Sequence, residues 1–383
     1  MTEFQRELLA APQVANTRVD IYSGVARMAA TVWGSEVRAP GPRPDTAVMI
    51  CHPTANFLGH YALPGLAARG VAGIGLTTRY VGNDTSLILE NCILDVNSMV
   101  VHLRSLGYKK VVVVGNSGGA SIIPYFQAQA ESPSVEQPPG GGPDLTTAGL
   151  VPADGIAMLN GHPSRARLCT EWLDPAIIDE HQPFERDPVL DMYNPINKPP
   201  YSAEFIERYR AAQLERNRRI SRWAEGQRRA VMSSTHAPNG IDDQAFVVQG
   251  TTADLRFFDG NIDPSDREIG VSLWGPPEIA NYLPAGIGRC TTLRSWINQW
   301  SVDHTLGNSL RWLPEINAPV SIVLGTADPT VHLPMGREMR DAAKSAQLFE
   351  IKGGTHYFEN QPQQLAEALD ALVGWIESSV GSG

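Results

Sequence analysis

Five short runs of apolar, largely β-branched residues limit what this chain can fold into. Residues 47–51 (AVMIC), 71–76 (VAGIGL), 110–114 (KVVVV), 155–159 (GIAML) and 319–324 (PVSIVL) are nearly continuous in hydrophobicity rather than alternating. Such runs suit strands covered on both faces by helices. Residues 348–351 are expected to add a last strand. Residues 84–106 have helical periodicity and stop at Gly107, a natural position just past a helix end. Residues 362–376 are expected as a C-terminal helix, with Pro362 suited to the first helical position. Strands alternating with helices predict an α/β fold built on a doubly wound, mostly parallel sheet.

The length of 383 residues is long for one domain and short for three. Hydrophobic residues make up 42% of the chain and charged residues 19%, enough apolar material for a large core, so wholesale disorder is excluded. Two breaks in the rhythm account for the length. The strand ending near Leu159 and the run at 319–324 are separated by about 150 residues, far beyond an ordinary connection. Residues 161–316 are therefore expected to be an inserted, mainly helical cap, and residues 1–160 and 317–383 the core. The cap leaves the sheet at the C-terminal end of a strand, where open α/β sheets carry their binding sites. The second break, the Pro/Gly-rich stretch 132–148, is expected to be a tolerated surface loop at the opposite end of the sheet.

Chemistry enters at residues 111–119, VVVVGNSGG. Gly115-Asn116-Ser117-Gly118-Gly119 is a G-x-S-x-G motif placed between a predicted strand and a predicted helix. That context defines a nucleophile elbow, in which a sharp turn exposes the serine hydroxyl and flanking glycines make room for it. With this motif the chain resembles the α/β-hydrolase superfamily, which carries its nucleophile, acid and histidine in that order. Two further positions match. Asp328, in LGTADP, follows a predicted strand. His356, in GGTHY, follows the last predicted strand and precedes the last helix. The resemblance covers about residues 45–160 and 317–380; the inserted region matches no named family pattern. It implies that His356 takes the Ser117 proton while Asp328 holds the imidazole. It also implies an oxyanion hole made by the Gly118 N–H and a second amide in the loop after 47–51. Related chains carry His-Gly there and this one has His52-Pro53-Thr54, so the donor is expected at Thr54, because proline has no N–H. His52 is read as a residue that holds this loop by hydrogen bonding. A serine at the elbow disfavours the aspartate-nucleophile branches of the superfamily.

The insertion holds six of the eight tryptophans. Trp296 and Trp300 share a helix face and are candidates to line a pocket, with His52, Arg79, Asn160 and His162, which follow strands at the functional end. Residues 203–229 form an amphipathic helix with eight arginines off its apolar face. These are read first as a solvated, ion-paired surface or an oligomer contact, with an anionic substrate handle as the sharper alternative.

The net charge of −10 argues against nucleic acid and anionic membranes as partners. No signal-like or membrane-length apolar run is present, and the four cysteines lack metal-site spacing. A cytoplasmic protein, with homo-oligomerisation left open, is expected. No dinucleotide, P-loop or zinc-protease motif occurs, so no metal or cofactor is expected. Together these features predict a serine hydrolase that cleaves a carboxylic ester through an acyl-enzyme, with a bulky apolar or aromatic group on the substrate. Lactonase, thioesterase, amidase and C–C bond hydrolase chemistry use the same parts. A ligand-binding protein on this fold is the non-catalytic alternative.

Overall fold

The computed structural model describes residues 3–13, 31–238, 240–284 and 286–380; the expected core spans also take in residues 1–2, 14–30 and 381–383, which lie outside the described residues. Among the described residues ten strands are present: β1 (Gln5–Pro12), β2 (Thr31–Arg38), β3 (Thr46–Cys51), β4 (Ala72–Leu76), β5 (Lys110–Asn116), β6 (Gly155–Leu159), β7 (Ala245–Val247), β8 (Cys290–Thr292), β9 (Val320–Gly325) and β10 (Ala346–Ile351). Eight of them form one sheet in the order β1-β2-β4-β3-β5-β6-β9-β10. From β4 to β10 every pairing is parallel, while β1 and β2 add an antiparallel edge. All six strands read from apolar runs are present within a few residues. β1 and β2 were not anticipated.

Two cores explain why those runs are continuous. Successive side chains on a strand point to opposite faces. Val111 and Val113 of β5 accordingly enter one cluster with Ala47 and Met49 of β3, while Val112 and Val114 enter another with Val48 and Ile50. Helix α1 (Leu63–Ala67) lies on the second face, α2 (Leu89–Ser105) and α3 (Ile123–Glu131) on the first. Because helices cover both faces, neither parity of a strand can be polar.

The chain leaves the sheet after β6 and returns at β9. Between them lie α4 (Arg165–Trp172), α5 (Ala203–Ser233), α6 (Pro277–Tyr282), α7 (Leu293–Ser295) running into a π-helical turn Trp296–Trp300, α8 (Ser309–Trp312), and the β7–β8 ribbon. Much of the remaining insertion is irregular. After β9 come α9 (Leu333–Ala342), β10 and α10 (Pro362–Trp375), whose Leu369, Leu372 and Trp375 close the second core.

Helix α5 extends four residues beyond its expected end, and six of its arginines are ion-paired. Arg210 pairs with Asp254, Arg216 and Arg219 with Glu180, Arg218 with Asp303, Arg222 with Glu215 and Arg228 with Asp242. Most of these partners lie elsewhere in the insertion, so the helix clamps that segment together. The Pro/Gly loop departs from its expected role as a free surface excursion. Val135 and Leu145 are buried. Its Pro139, Gly140 and Gly141 carbonyls accept hydrogen bonds from Asn298 and Arg294 of the insertion. No described helix is long and apolar enough to cross a membrane.

Candidate active site

The parallel strands end together, and the chemistry-bearing residues follow their C-terminal ends. Ser117 comes directly after β5. Its φ of +53° places a non-glycine residue in the left-handed region, a strained state met at functional turns. The turn is so tight that a Cβ on Gly115 would lie 2.6 Å from the carbonyl group of Gly119, so only glycine fits there. Ser117 opens a 3₁₀ turn, Ser117–Ser121, that feeds α3. The first amides of such a turn have no acceptor within it, which leaves the Gly118 N–H available.

Asp328 lies just past β9 and His356 just past β10. His356 Nδ1 is 2.7 Å from Asp328 Oδ2, and its Nε2 is 3.1 Å from Ser117 Oγ. Asp328 Oδ1 accepts the backbone N–H groups of Thr330 and Val331 at 2.7 and 3.0 Å. Both lone-pair faces of this carboxylate are thus used, one to fix the acid and the other to fix the imidazole. Asp328 and His356 are 2% and 3% exposed, so little water competes for these contacts.

A cavity of about 410 Å³ opens over Ser117. Its polar floor includes Ser117, Gly118, His52, His162, Arg165 and Thr330, and its apolar wall is Leu168, Trp172, Leu273, Trp274 and Ile287. Trp172 and Trp274 meet edge to face at 5.5 Å, a favoured aromatic geometry. Asp84 and Tyr357 also face the cavity. His52 sits well below the ordinary imidazole pKa, first because of burial and then because Arg165 and two other histidines lie nearby. Burial and the same arginine push His162 down to about 3. Both imidazoles are therefore neutral near pH 7.

Of the expected site residues, the structure brings Ser117, Asp328, His356, Gly118, His52 and His162 together. Others are elsewhere or differently employed. Arg79 is buried against Asp95 of α2, with its guanidinium 2.6 Å from the carboxylate, and does not line the cavity. Asn160 faces away from the cavity: its Nδ2 donates to the Thr355 and His356 carbonyls and its Oδ1 accepts the Gly325 N–H at 2.7 Å. Trp296 and Trp300 do share a face, but that face packs on Ile220 and Ala224 of α5 in the insertion's own core. Thr54, expected as an oxyanion donor, lines the cavity, yet its N–H donates to His52 Nδ1 at 3.1 Å. The sequence reading missed Arg165, Trp172 and Trp274 as cavity residues. For Arg165 a signal existed: it follows His162 by three residues just past β6, at the functional edge of the sheet.

No protein-family model and no curated protein sequence matches the chain. Solved structures do. DcsB, determined in complex with its substrate analogue, is 13% identical and aligns over 99% of this chain and 100% of its own, with a TM-score of 0.51. GrgF from Penicillium sp. sh18, an α/β-hydrolase, is 10% identical and aligns over 99% and 100%, with a TM-score of 0.53. At such identities the likeness is one of fold: this chain has the α/β-hydrolase fold.

Proposed function

We propose that this protein is a serine hydrolase that cleaves carboxylic esters through an acyl-enzyme, with residues 1–160 and 317–383 as its catalytic core and 161–316 as a cap that shapes the substrate pocket. The observation that carries this reading is the unbroken contact chain from Asp328 through His356 to Ser117, at 2.7 and 3.1 Å, beneath a cavity with an indole wall.

In this mechanism Ser117 Oγ attacks the ester carbonyl carbon as His356 Nε2 takes its proton. The carbonyl electron pair moves onto oxygen, and the Gly118 N–H stabilises the resulting oxyanion. When the pair returns, the alcohol leaves with the proton from His356, and Ser117 is acylated. Water then repeats the sequence and releases the acid. Asp328 keeps the Nδ1–H tautomer in place and offsets the positive charge that His356 gains. The wall of Trp172, Trp274, Leu168 and Ile287 favours a bulky apolar or aromatic group on the substrate.

The test is hydrolysis of p-nitrophenyl esters by wild type and Ser117→Ala. The variant is expected to fold normally and to lose about 10⁴-fold or more in kcat. Turnover retained in the variant contradicts the assignment.

A further inference from the structure

The loop after β3 raises a question of supply. An oxyanion hole needs a second donor beside Gly118, and the loop amide expected to supply it, that of Thr54, is already used. Pro53 has no N–H. The Thr54 and Ala55 N–H groups both donate to His52 Nδ1, at 3.1 and 3.0 Å.

Those two bonds settle the tautomer of His52. A ring nitrogen that accepts from two amides carries no proton, so the proton of the neutral imidazole sits on Nε2. The Nε2–H has no hydrogen-bond acceptor among the described residues, and His52 lines the cavity beside Ser117 and Gly118.

A second donor arrives from the insertion. Arg165 is 5% exposed. Its Nε donates to Gln299 at 3.1 Å, its Nη2 to Asp84 at 3.0 Å, and its guanidinium lies 4.4 Å above the Trp300 ring. Three restraints hold the group in place, and Nη1 has no acceptor among the described residues. Position 118 shows how close both donor nitrogens lie to the Gly118 amide. A Cβ there would lie 2.9 Å from His52 Nε2 and 2.9 Å from Arg165 Nη1. Two N–H groups from separate parts of the chain thus close on one spot beside the Gly118 amide. The absent side chain at 118 is what lets them approach it.

We infer that the oxyanion formed on attack by Ser117 is held by the Gly118 N–H together with two side-chain donors, His52 Nε2–H and Arg165 Nη1–H, and not by the Thr54 amide. This rests on Ser117 being the nucleophile. As the Ser117 Oγ–carbon bond forms, the carbonyl π pair moves to oxygen and the serine proton goes to His356. His52 and Arg165 only donate hydrogen bonds and lose no proton. Collapse of the intermediate returns the pair to carbon and expels the leaving group, which takes the proton from His356.

A side-chain hole can be dissected by substitution, and His52 offers a discriminating pair. In His52→Asn the amide oxygen replaces Nδ1 as acceptor for the loop, while the donor at Nε2 is lost. In His52→Gln a donor returns near the Nε2 position. Arg165→Met keeps an unbranched apolar side chain at this position and removes the other donor. The readouts are kcat and KM on a p-nitrophenyl ester, Ki for an aryl trifluoromethyl ketone, Tm, and mass-spectrometric labelling of Ser117 by a fluorophosphonate. The inference expects kcat of His52→Asn to fall about 100- to 1,000-fold with KM changed less than about threefold. Ki for the ketone should rise by a similar factor, and His52→Gln should recover at least about tenfold of the lost kcat. Arg165→Met should also lose kcat rather than KM. If His52 only holds the loop, the order reverses: His52→Asn stays within about threefold of wild type and His52→Gln is the damaged variant. That result overturns the inference for His52, as an unchanged kcat in Arg165→Met does for Arg165. Should His52→Asn not fold, Arg165→Met and His52→Gln decide by the same kcat-against-KM criterion. Failure of the underlying reading looks different: wild type itself neither turns over ester nor labels at Ser117.

Discussion

Asn160 Nδ2 donates to the backbone carbonyl of His356 at 2.9 Å, while Asn160 Oδ1 accepts the Gly325 N–H at 2.7 Å. One buried side chain at the end of β6 therefore ties the histidine loop to the end of β9, three residues before Asp328. Asn160 itself has a φ of +42°, a conformation that asparagine tolerates better than most residues. Asn160→Ala removes three hydrogen bonds, two of them fully buried, and strains the backbone. The expected cost is about 2–4 kcal/mol of stability and a fall in kcat with little change in KM. Urea unfolding and ester kinetics check this; unchanged kcat would mean that the crosspiece does not position His356.

The two pairs of tryptophans should behave oppositely. Trp274→Ala is expected to raise KM for a naphthyl ester about tenfold more than for an acetate ester, because it removes part of the cavity wall. Trp296, 0% exposed in the insertion's core with its Nε1–H on Ser221 at 3.0 Å, should instead cost about 3–5 kcal/mol on conversion to alanine. Its substrate preference should stay unchanged. Comparing the two variants by ester-series kinetics and denaturation separates pocket from core.

Acid should destabilise the protein through its buried imidazoles. Burial lowers His162 to about 3 and His60 to about 4, against an ordinary value of 6.5. Their native-state pKa values lie below the unfolded ones, so between those limits the unfolded chain binds more protons. Stability is therefore full above about pH 6.5 and falls as pH drops towards 4, by up to about 1.4 kcal/mol per pH unit for each such proton. Urea midpoints between pH 7 and 4.5 check the sign. His162→Gln is expected to flatten the slope.

Shortening the 132–148 loop is expected to lower Tm rather than be neutral. Without residues 138–141, the buried Arg294 loses its acceptors at Gly140 and Gly141, and Asn298 loses the Pro139 carbonyl. Unpaired buried polar groups cost about 1–3 kcal/mol each, and more when charged. A thermal melt of the shortened chain that matches wild type would restore the reading of a free surface loop.

These residues also mark what was legible before the structure. The VVVV of β5 could only be a strand buried on both faces, and the GNSGG that follows could only turn sharply. The ordered places of Asp328 and His356 after later strands matched what the resemblance to the α/β-hydrolase superfamily implies. The edge strands were hidden for the opposite reason. β1 is mostly exposed and β2 alternates, so neither carries a continuous apolar run. Trp296 and Trp300 do share a helix face, but periodicity says nothing about what that face meets. The fate of the Thr54 amide depends on how a histidine ring two residues earlier folds back. Such side-chain-to-backbone geometry leaves no spacing pattern. Arg165 stands just past β6, outside the arginine-rich run of α5, so only its place at the functional edge of the sheet marks it in the sequence.

Every step of the proposed chemistry requires Ser117 to be an activated nucleophile. The most direct measurement is to incubate the folded protein with a fluorophosphonate and map the adduct by tandem mass spectrometry. The expected result is a single stoichiometric adduct on the Ser117 peptide, lost in Ser117→Ala and strongly slowed in His356→Ala. An unmodified Ser117 in the folded wild-type protein would contradict it.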